Sequence, residues 1–180
     1  LEAAGAQIVP VRFPQVELCP DIVNVVASSE AASYHGSMPP AQQALLGPDV
    51  RAAQQAGQGY SATDYIAAQR ARSAVNVGMW QVFKQVKVLV TPTIATTTPE
   101  AGATTAPLGD AVVPILDALN ALTVPANVTG MPAITVPTGV GADGLPVGLQ
   151  IMAPPLEELS ILTVAHVYES LTEFSQMRPF

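Results

Sequence analysis

The side chains that could act as a nucleophile or a general base are few, and they lie far apart along the chain. His35 falls in a Gly/Pro-rich segment predicted to be a loop, His166 falls inside a predicted helix, and no G-x-S-x-G elbow accompanies either. The pair Ser28–Ser29 is predicted on a helix surface, with no base at a defined spacing. Cys19 has only Arg12 as a nearby cation, so nothing would depress the pKa of its thiol. We therefore predict a buried structural thiol and no Ser–His or Cys–His pair.

Metal and phosphate sites also lack the required spacing. Two histidines and one cysteine at unrelated positions do not form a zinc ligand set, and the acidic residues show no D-x-D or E-x-x-H pattern. The segment GVGADG is rich in glycine, but it lacks the Lys-Ser/Thr of a P-loop and lies between two predicted strands. Its Asp143–Gly144 pair is typical of a hairpin turn. The residues by themselves thus predict no metal, no cofactor and no catalytic group in this chain.

Charge and hydropathy limit the partners that the chain can have. It carries 14 acidic and 7 basic side chains, a formal net charge of −7, so we expect no nucleic-acid binding, which requires clustered Lys and Arg. No apolar run reaches the roughly 18 residues of a membrane span, and no signal-peptide pattern opens the chain. A single cysteine rules out an internal disulfide framework, and the sequence favours a cytoplasmic location.

The first half of the chain is predicted to be mostly helical. The chain opens without Met in what resembles the end of a helix stopped at Gly5, so we expect it to be cut from a larger protein. The elements that follow are a short strand over Gln7–Val11, a helix over Ile22–Tyr34 with Asp21 as its N-cap, short helices between loops, and a long helix capped by Ser61 or Thr63 and ending near Gln85.

The second half is predicted to supply the sheet. A short strand over Val88–Val90 ends at Pro92, and the Thr/Pro/Gly-rich stretch Ile94–Ala111 is predicted to be either a surface excursion or a loop that lines a site. Then come a short helix over Pro114–Ala121, two buried strands AITVP and PVGLQIMA, and a last helix from Pro155 to about Phe174, with an apolar stripe at Ile161, Val164, Ala165, Tyr168 and Leu171. Strands interspersed with helices indicate an α/β fold with a mixed sheet. These strands are too few for a complete sheet.

Three blocks of this second half resemble a known family. They are VLVTPT, then LTVPANVTGMPAITVPTGVGADGLPVGLQIMAP, then ILTVAHVYESL, and their order, spacing and composition are similar to the C-terminal third of amidase-signature enzymes. The helix YSATDYIAAQRARSAVNVGMWQVF before them is similar too, so the resemblance covers essentially the whole chain. It implies that residues 1–180 are the C-terminal part of a single amidase-signature domain, a mixed β-sheet covered by helices and completed by a missing N-terminal part.

The resemblance implies hydrolysis of carboxamides by a Ser–cis-Ser–Lys triad that this chain does not contain. In the family a serine attacks the amide carbonyl, a second serine relays the proton and a buried lysine acts as base, through an acyl-enzyme. Those residues lie in the family's N-terminal half. The only lysines here, Lys84 and Lys87, stand at the helix–strand junction and do not match the catalytic position. No catalytic residue is therefore carried over.

What the resemblance assigns to this chain is sheet strands and a wall of the substrate pocket. The predicted substrate-binding residues are Thr91, Pro92, Thr93, Asn120, Thr123 and Met131. Where Asn120 stands, the glutaminyl-tRNA-forming amidotransferase subunits carry an acidic residue that binds the α-amino group of glutamine. An asparagine in apolar surroundings favours instead a general amidase for apolar or aryl amides.

The implied partners are the N-terminal catalytic portion of the same enzyme, in the same chain or a separate one, and a small-molecule amide substrate. A homodimer is a further candidate assembly. Two alternatives stay open. One is a fragment of the A-type component of an amidotransferase, which would bind partner subunits and tRNA, and the other is a non-catalytic binding or structural module of the same fold.

Overall fold

The computed structural model describes residues 1–174, which fall into two compact units. The helical unit consists of Pro14–Val77, and the sheet unit consists of Leu1–Phe13 together with the chain from Gly78 onward. A single domain over residues 1–180 stays a prediction.

Prolines begin most helices of the helical unit. A 3-10 helix over Pro14–Leu18 leads into α1 (Cys19–Gly36), followed by α2 (Pro40–Gln43), α3 (Pro48–Gln58) and α4 (Ala62–Phe83). A proline in the first turn sets φ and lacks only an N–H that would be unpaired there anyway. The N-cap prediction for Asp21 is wrong, because α1 already begins at Cys19 and Asp21 lies in its first turn, where the helix dipole favours an acid.

The start of α4 is fixed by a reciprocal cap, as predicted for Ser61. The Ser61 hydroxyl accepts the Asp64 N–H at 3.2 Å, while the Asp64 carboxylate accepts the Ser61 N–H at 2.8 Å and its hydroxyl at 2.7 Å. These bonds lower the pKa of Asp64 below its ordinary value. The bond from the Ser61 side chain has the largest effect, and the bond from the Ser61 backbone follows.

Helices α1 and α3 approach closely enough to touch through backbone. A Cβ built on Gly57 would lie 1.8 Å from the Ser28 carbonyl oxygen and 2.8 Å from the Ala32 Cβ. Gly57 is buried, and backbone atoms cannot rotate away as a side chain could. The spacing of the two helices therefore depends on this glycine.

We expect Gly57→Ala to destabilise the protein by about 1–3 kcal/mol, the usual range for overpacking, with failure to fold as the extreme result. Denaturant unfolding measures the change. Gly36→Ala is the matched control, since a Cβ there meets nothing within 4 Å. Equal stability of the two variants would show that α1 and α3 do not depend on this contact.

The sheet unit contains a three-stranded sheet and a separate hairpin. Strands β1 (Leu89–Pro92), β4 (Ala133–Val140) and β5 (Pro146–Met152) form the sheet in the order β1-β5-β4, and β2 (Thr105–Leu108) pairs with β3 (Ala111–Pro114). The helices are α5 (Ile115–Asn120), α6 (Val124–Thr129) and α7 (Glu158–Ser170). The α/β class is confirmed, and the strand pairings within residues 1–174 are all antiparallel.

The β4–β5 hairpin carries a polar turn and one bulge. At the turn, Asp143 Oδ1 accepts the Leu145 N–H at 3.1 Å, and Gly144 has a φ of 79°, so the predicted turn is confirmed. The register shifts between Pro137 and Gly139, and the hydroxyl of the intervening Thr138 hydrogen-bonds that of Tyr168 on α7. The bulge thus ties the hairpin to the last helix.

The two faces of the sheet have different neighbours. One face packs on α7, where the buried residues are Val136, Ile151, Ala153, Ile161 and Ala165. The opposite face packs on the end of α4 and the start of α6. The buried residues on this side are Met79, Val82, Ala126, Met131 and Met152. The apolar stripe predicted on α7 is confirmed in part, since Leu171 is 51% exposed and lies beyond the helix end at Ser170.

Two further sequence predictions are wrong. Residues 7–11 form no strand, because a strand needs a hydrogen-bonded neighbour and none pairs with this segment among the described residues. The stretch Ile94–Ala111 is not simply a loop, because it contains β2 and enters β3. No helix in the described part of the chain is both long enough and apolar enough to cross a membrane.

Candidate functional site

A polar patch interrupts the second face of the sheet, at the end of β1. In the register of the sheet, Gln150 on β5 lies between Thr91 on β1 and Thr135 on β4, so the three side chains share a face. Gly148 precedes Gln150 by two residues on β5, and Thr93 lies beside it. The Thr93 N–H donates to the Gly148 carbonyl at 2.9 Å. We call these five residues the threonine face.

The centre of the threonine face is the amide of Gln150, which is only 3% exposed. Its Nε2 donates to Thr91 Oγ1 at 3.1 Å and to the backbone carbonyl of Leu122 at 2.8 Å. Leu122 stands between α5 and α6. One side chain therefore joins the end of β1 to the α5–α6 connection, the two segments that the sequence assigned to one pocket wall.

A second bridge crosses β5 at Gly148. Thr93 Oγ1 donates to Thr135 Oγ1 at 3.2 Å, linking the end of β1 to β4. A Cβ on Gly148 would lie 2.7 Å from Thr93 Oγ1 and 2.8 Å from the Thr135 Cγ2 methyl, so the two threonines close over a residue without a side chain. Thr135 is exposed and Thr93 half-buried, so this part of the face is open to a ligand.

The predicted pocket residues lie in several different environments. Thr91 and Thr93 lie in the threonine face, and exposed Pro92 points away from it in the alternation of β1. Asn120 ends α5 and is exposed, and its carbonyl accepts both the N–H and the hydroxyl of Thr123, at 3.0 and 3.3 Å. Met131 is 5% exposed and packs in the core. Contact of any of them with substrate stays a prediction.

Sequence reasoning missed Thr135, Gly148 and Gln150. A signal for two of them was present, because Gly148 and Gln150 stand two apart in the otherwise apolar run PVGLQIMA, where alternate residues share a face. A polar residue in a buried strand needs a partner. The partners, however, lie 59 and 28 positions away in sequence.

The segment after β1 forms a shallow depression of about 250 Å³. Thr96, Glu100 and Ala106 are among its lining residues, and the Thr96 hydroxyl is buried without a hydrogen-bond partner in the described part of the chain. The depression lies within Ile94–Ala111, the stretch predicted to be either a surface excursion or a loop that lines a site.

The remaining candidate groups occupy structural positions. Cys19 is 1% exposed, and burial raises the pKa of its thiol to about 11, so it stays protonated at neutral pH, as predicted for a structural cysteine. His35 belongs to the last turn of α1 and not to a loop, and its ring meets that of Tyr34 edge-on at 5.1 Å. Ser29 is half-buried and its hydroxyl is buried, which differs from the predicted position on the helix surface. His166 is exposed on α7.

Lys84 and Lys87 are both exposed, which differs from the buried lysine base of the Ser–cis-Ser–Lys triad. Within residues 1–174, no three His, Cys, Asp or Glu side chains come close enough together to hold a metal ion.

We expect Gly148→Ala to cost about 1–3 kcal/mol of stability, because both threonines must move to admit the methyl group. The same substitution in a Thr93→Ala/Thr135→Ser background should cost less, since the two closest atoms are then gone. Denaturant unfolding of the four proteins tests this coupling. Additive effects would mean that the threonines do not close over Gly148.

Comparison with known proteins supports this architecture. A family model described as Amidase matches residues 1–162. A fatty acid amide hydrolase of Medicago truncatula is 34% identical over 179 residues, 99% of this chain and 30% of that protein. The A-type component of a glutamyl-tRNA(Gln) amidotransferase from Synechococcus sp. (strain RCC307) is 41% identical over 121 residues, 67% of this chain and 24% of that protein.

A crystal structure of an amidase superimposes with a TM-score of 0.86 at 25% identity, covering 94% of this chain and 39% of that one. The chain thus spans between 24% and 39% of the length of these three proteins. The matched residues include the five strands of the described part of the chain and helices α1 to α6. On this evidence the chain belongs to the amidase family, as the amidase-signature motifs of its sequence predicted.

Proposed function

We propose that this chain forms the pocket wall of an enzyme that hydrolyses neutral, apolar carboxamides, with the Ser–cis-Ser–Lys triad supplied by an N-terminal portion outside residues 1–180. The observation that carries the proposal is the pair of hydrogen bonds from Gln150, which brings the Thr91 strand end and the Leu122 connection into one polar face. Hydroxyl groups on such a face can donate to, or accept from, an amide group.

The surroundings of Asn120 support an apolar acyl or aryl group. Leu116 lies one turn earlier on the same side of α5 and is 64% exposed, and Val112 on the adjoining β3 is 74% exposed. Large exposed apolar side chains on the helix that carries Asn120 and on the strand before it favour a substrate with an apolar portion. The relative named as a fatty acid amide hydrolase acts on such a compound.

The amidotransferase alternative rests on a specific observation, the 41% identity to an A-type component of such an enzyme over 121 residues. Against it stands Asn120, which cannot provide the negative charge that pairs with a substrate ammonium group. The formal charge of −7 also opposes contact with tRNA. We therefore prefer the amidase function.

The first test compares the protein in its native assembly with the isolated chain. Native mass spectrometry, with and without denaturant, should give a particle heavier than 18.6 kDa, the mass of this chain. That assembly should hydrolyse a neutral aryl amide, whereas the chain alone should not. Hydrolysis by the 180-residue chain alone would contradict the assignment of the triad to another portion.

In the active enzyme, Asn120→Asp should lower kcat/KM for a neutral anilide by about tenfold, because a carboxylate beside an apolar substrate loses hydration. Hydrolysis of glutamine should rise in the same variant, since the new carboxylate can pair with the α-ammonium group. Steady-state kinetics with both substrates measure the change.

The matched control is Asp117→Asn, one turn earlier on the same helix, where a charge is removed and not added. It should leave the preference between the two substrates nearly unchanged. If Asn120→Asp also leaves that preference unchanged, Asn120 does not line the pocket.

A further inference from the structure

The side-chain amide of Gln150 uses both of its hydrogen-bond donors, and one of them goes to the Thr91 hydroxyl. The atom 2.8 Å from the Leu122 carbonyl must be the amide nitrogen, because a carbonyl oxygen only accepts hydrogen bonds. An amide nitrogen carries two hydrogens, and its second bond runs to Thr91 Oγ1 at 3.1 Å. The Met152 sulfur, at 3.7 Å from the same nitrogen, is a much weaker acceptor than either oxygen. Both donors of the side chain are therefore used by the two oxygens.

The bond from Gln150 fixes Thr91 as an acceptor, so the proton of its own hydroxyl is not used in that contact. A hydroxyl has one donor and can accept through its oxygen at the same time. The half-buried Thr91 hydroxyl can thus donate to a group outside the strand. The other hydrogen of the same amide nitrogen holds the carbonyl of Leu122, immediately before Thr123.

We propose that Gln150 is a positioning residue for substrate binding, which holds the Thr91 hydroxyl as a hydrogen-bond donor to the substrate carbonyl and holds the Leu122–Thr123 segment at the same wall. The inference rests on the proposed amidase function. It adds that a bound substrate places a carbonyl acceptor at Thr91. Gln150, in the middle of the sheet, keeps the Thr91 hydroxyl in position to bind that carbonyl.

The proposal is tested in the active enzyme with Gln150→Met, which keeps the side-chain volume and removes both donors. KM for a neutral anilide should rise about tenfold, the effect of one lost hydrogen bond, and kcat should fall as well, because a donor binds the carbonyl oxygen more strongly once negative charge develops there in the transition state. A purely structural role would lower the thermal midpoint and leave KM of the folded enzyme unaltered, which would overturn the proposal.

Gln85→Met is the matched control, because Gln85 is exposed and its Nε2 donates only to the neighbouring Gln81 carbonyl, at 3.2 Å, among the bonds described. KM should not change in this variant. Thr91→Val should reproduce the KM of Gln150→Met, and Thr91→Ser, which retains the hydroxyl, should restore it. An unchanged KM in Thr91→Val would also refute the proposal.

Hydrogen exchange separates this inference from the proposed function. In Gln150→Met the N–H of Thr123, bonded to the Asn120 carbonyl at 3.0 Å, should exchange at least about tenfold faster, while amides of the β4–β5 ladder keep their rates. If the unmodified enzyme hydrolyses no amide, the proposed function fails, and the exchange of Thr123 still tests whether Gln150 holds this segment. An unchanged Thr123 rate would overturn the positioning role.

Discussion

Strand β5 has a hydrogen-bonded strand on each side, and its position constrains most of the sheet unit. Its alternate residues must satisfy two unlike environments at once. Leu149 and Ile151 face the core under α7, while Gly148, Gln150 and Met152 face the opposite side. Because the side-chain period of a strand is two, a shift of one residue in register would bury the polar amide under α7 and expose the apolar residues.

The buried amide of Gln150 is the polar exception in this strand. A side-chain amide that is 3% exposed would be strongly destabilising without partners, and here its two donors meet a hydroxyl and a backbone carbonyl. The same bonds fix the positions of the β1 end and the α5–α6 connection. Stability and the geometry of the candidate site therefore depend on the same contacts.

Apolar packing and polar contacts stabilise different parts of the second face of the sheet. The methionines of the α4 side, Met79, Met131 and Met152, are almost fully buried and can fill irregular space because their side chains are flexible and unbranched. Beyond Met152 this packing gives way to the threonine face, where hydroxyl pairs and the bare backbone at Gly148 replace it. The change occurs within a few residues of one strand.

The sequence by itself determined the start of the long helix capped by Ser61, the β4–β5 hairpin and its turn, the α/β class and the family, because these depend on local chemistry and on ordered motifs. Through the family resemblance it also predicts that Asn120 distinguishes substrate classes, and this stays a prediction. It could not exclude a strand at residues 7–11, since a strand exists only where another strand pairs with it.

Only the tertiary structure decided that Gln150 reaches both Thr91 and Leu122, that Gly148 lies beneath two threonines, and that Met131 belongs to the core. The physical reason is that these contacts join positions far apart along the chain. Their existence depends on the register of β1 against β5 and on the position of the α5–α6 connection, which no local pattern specifies.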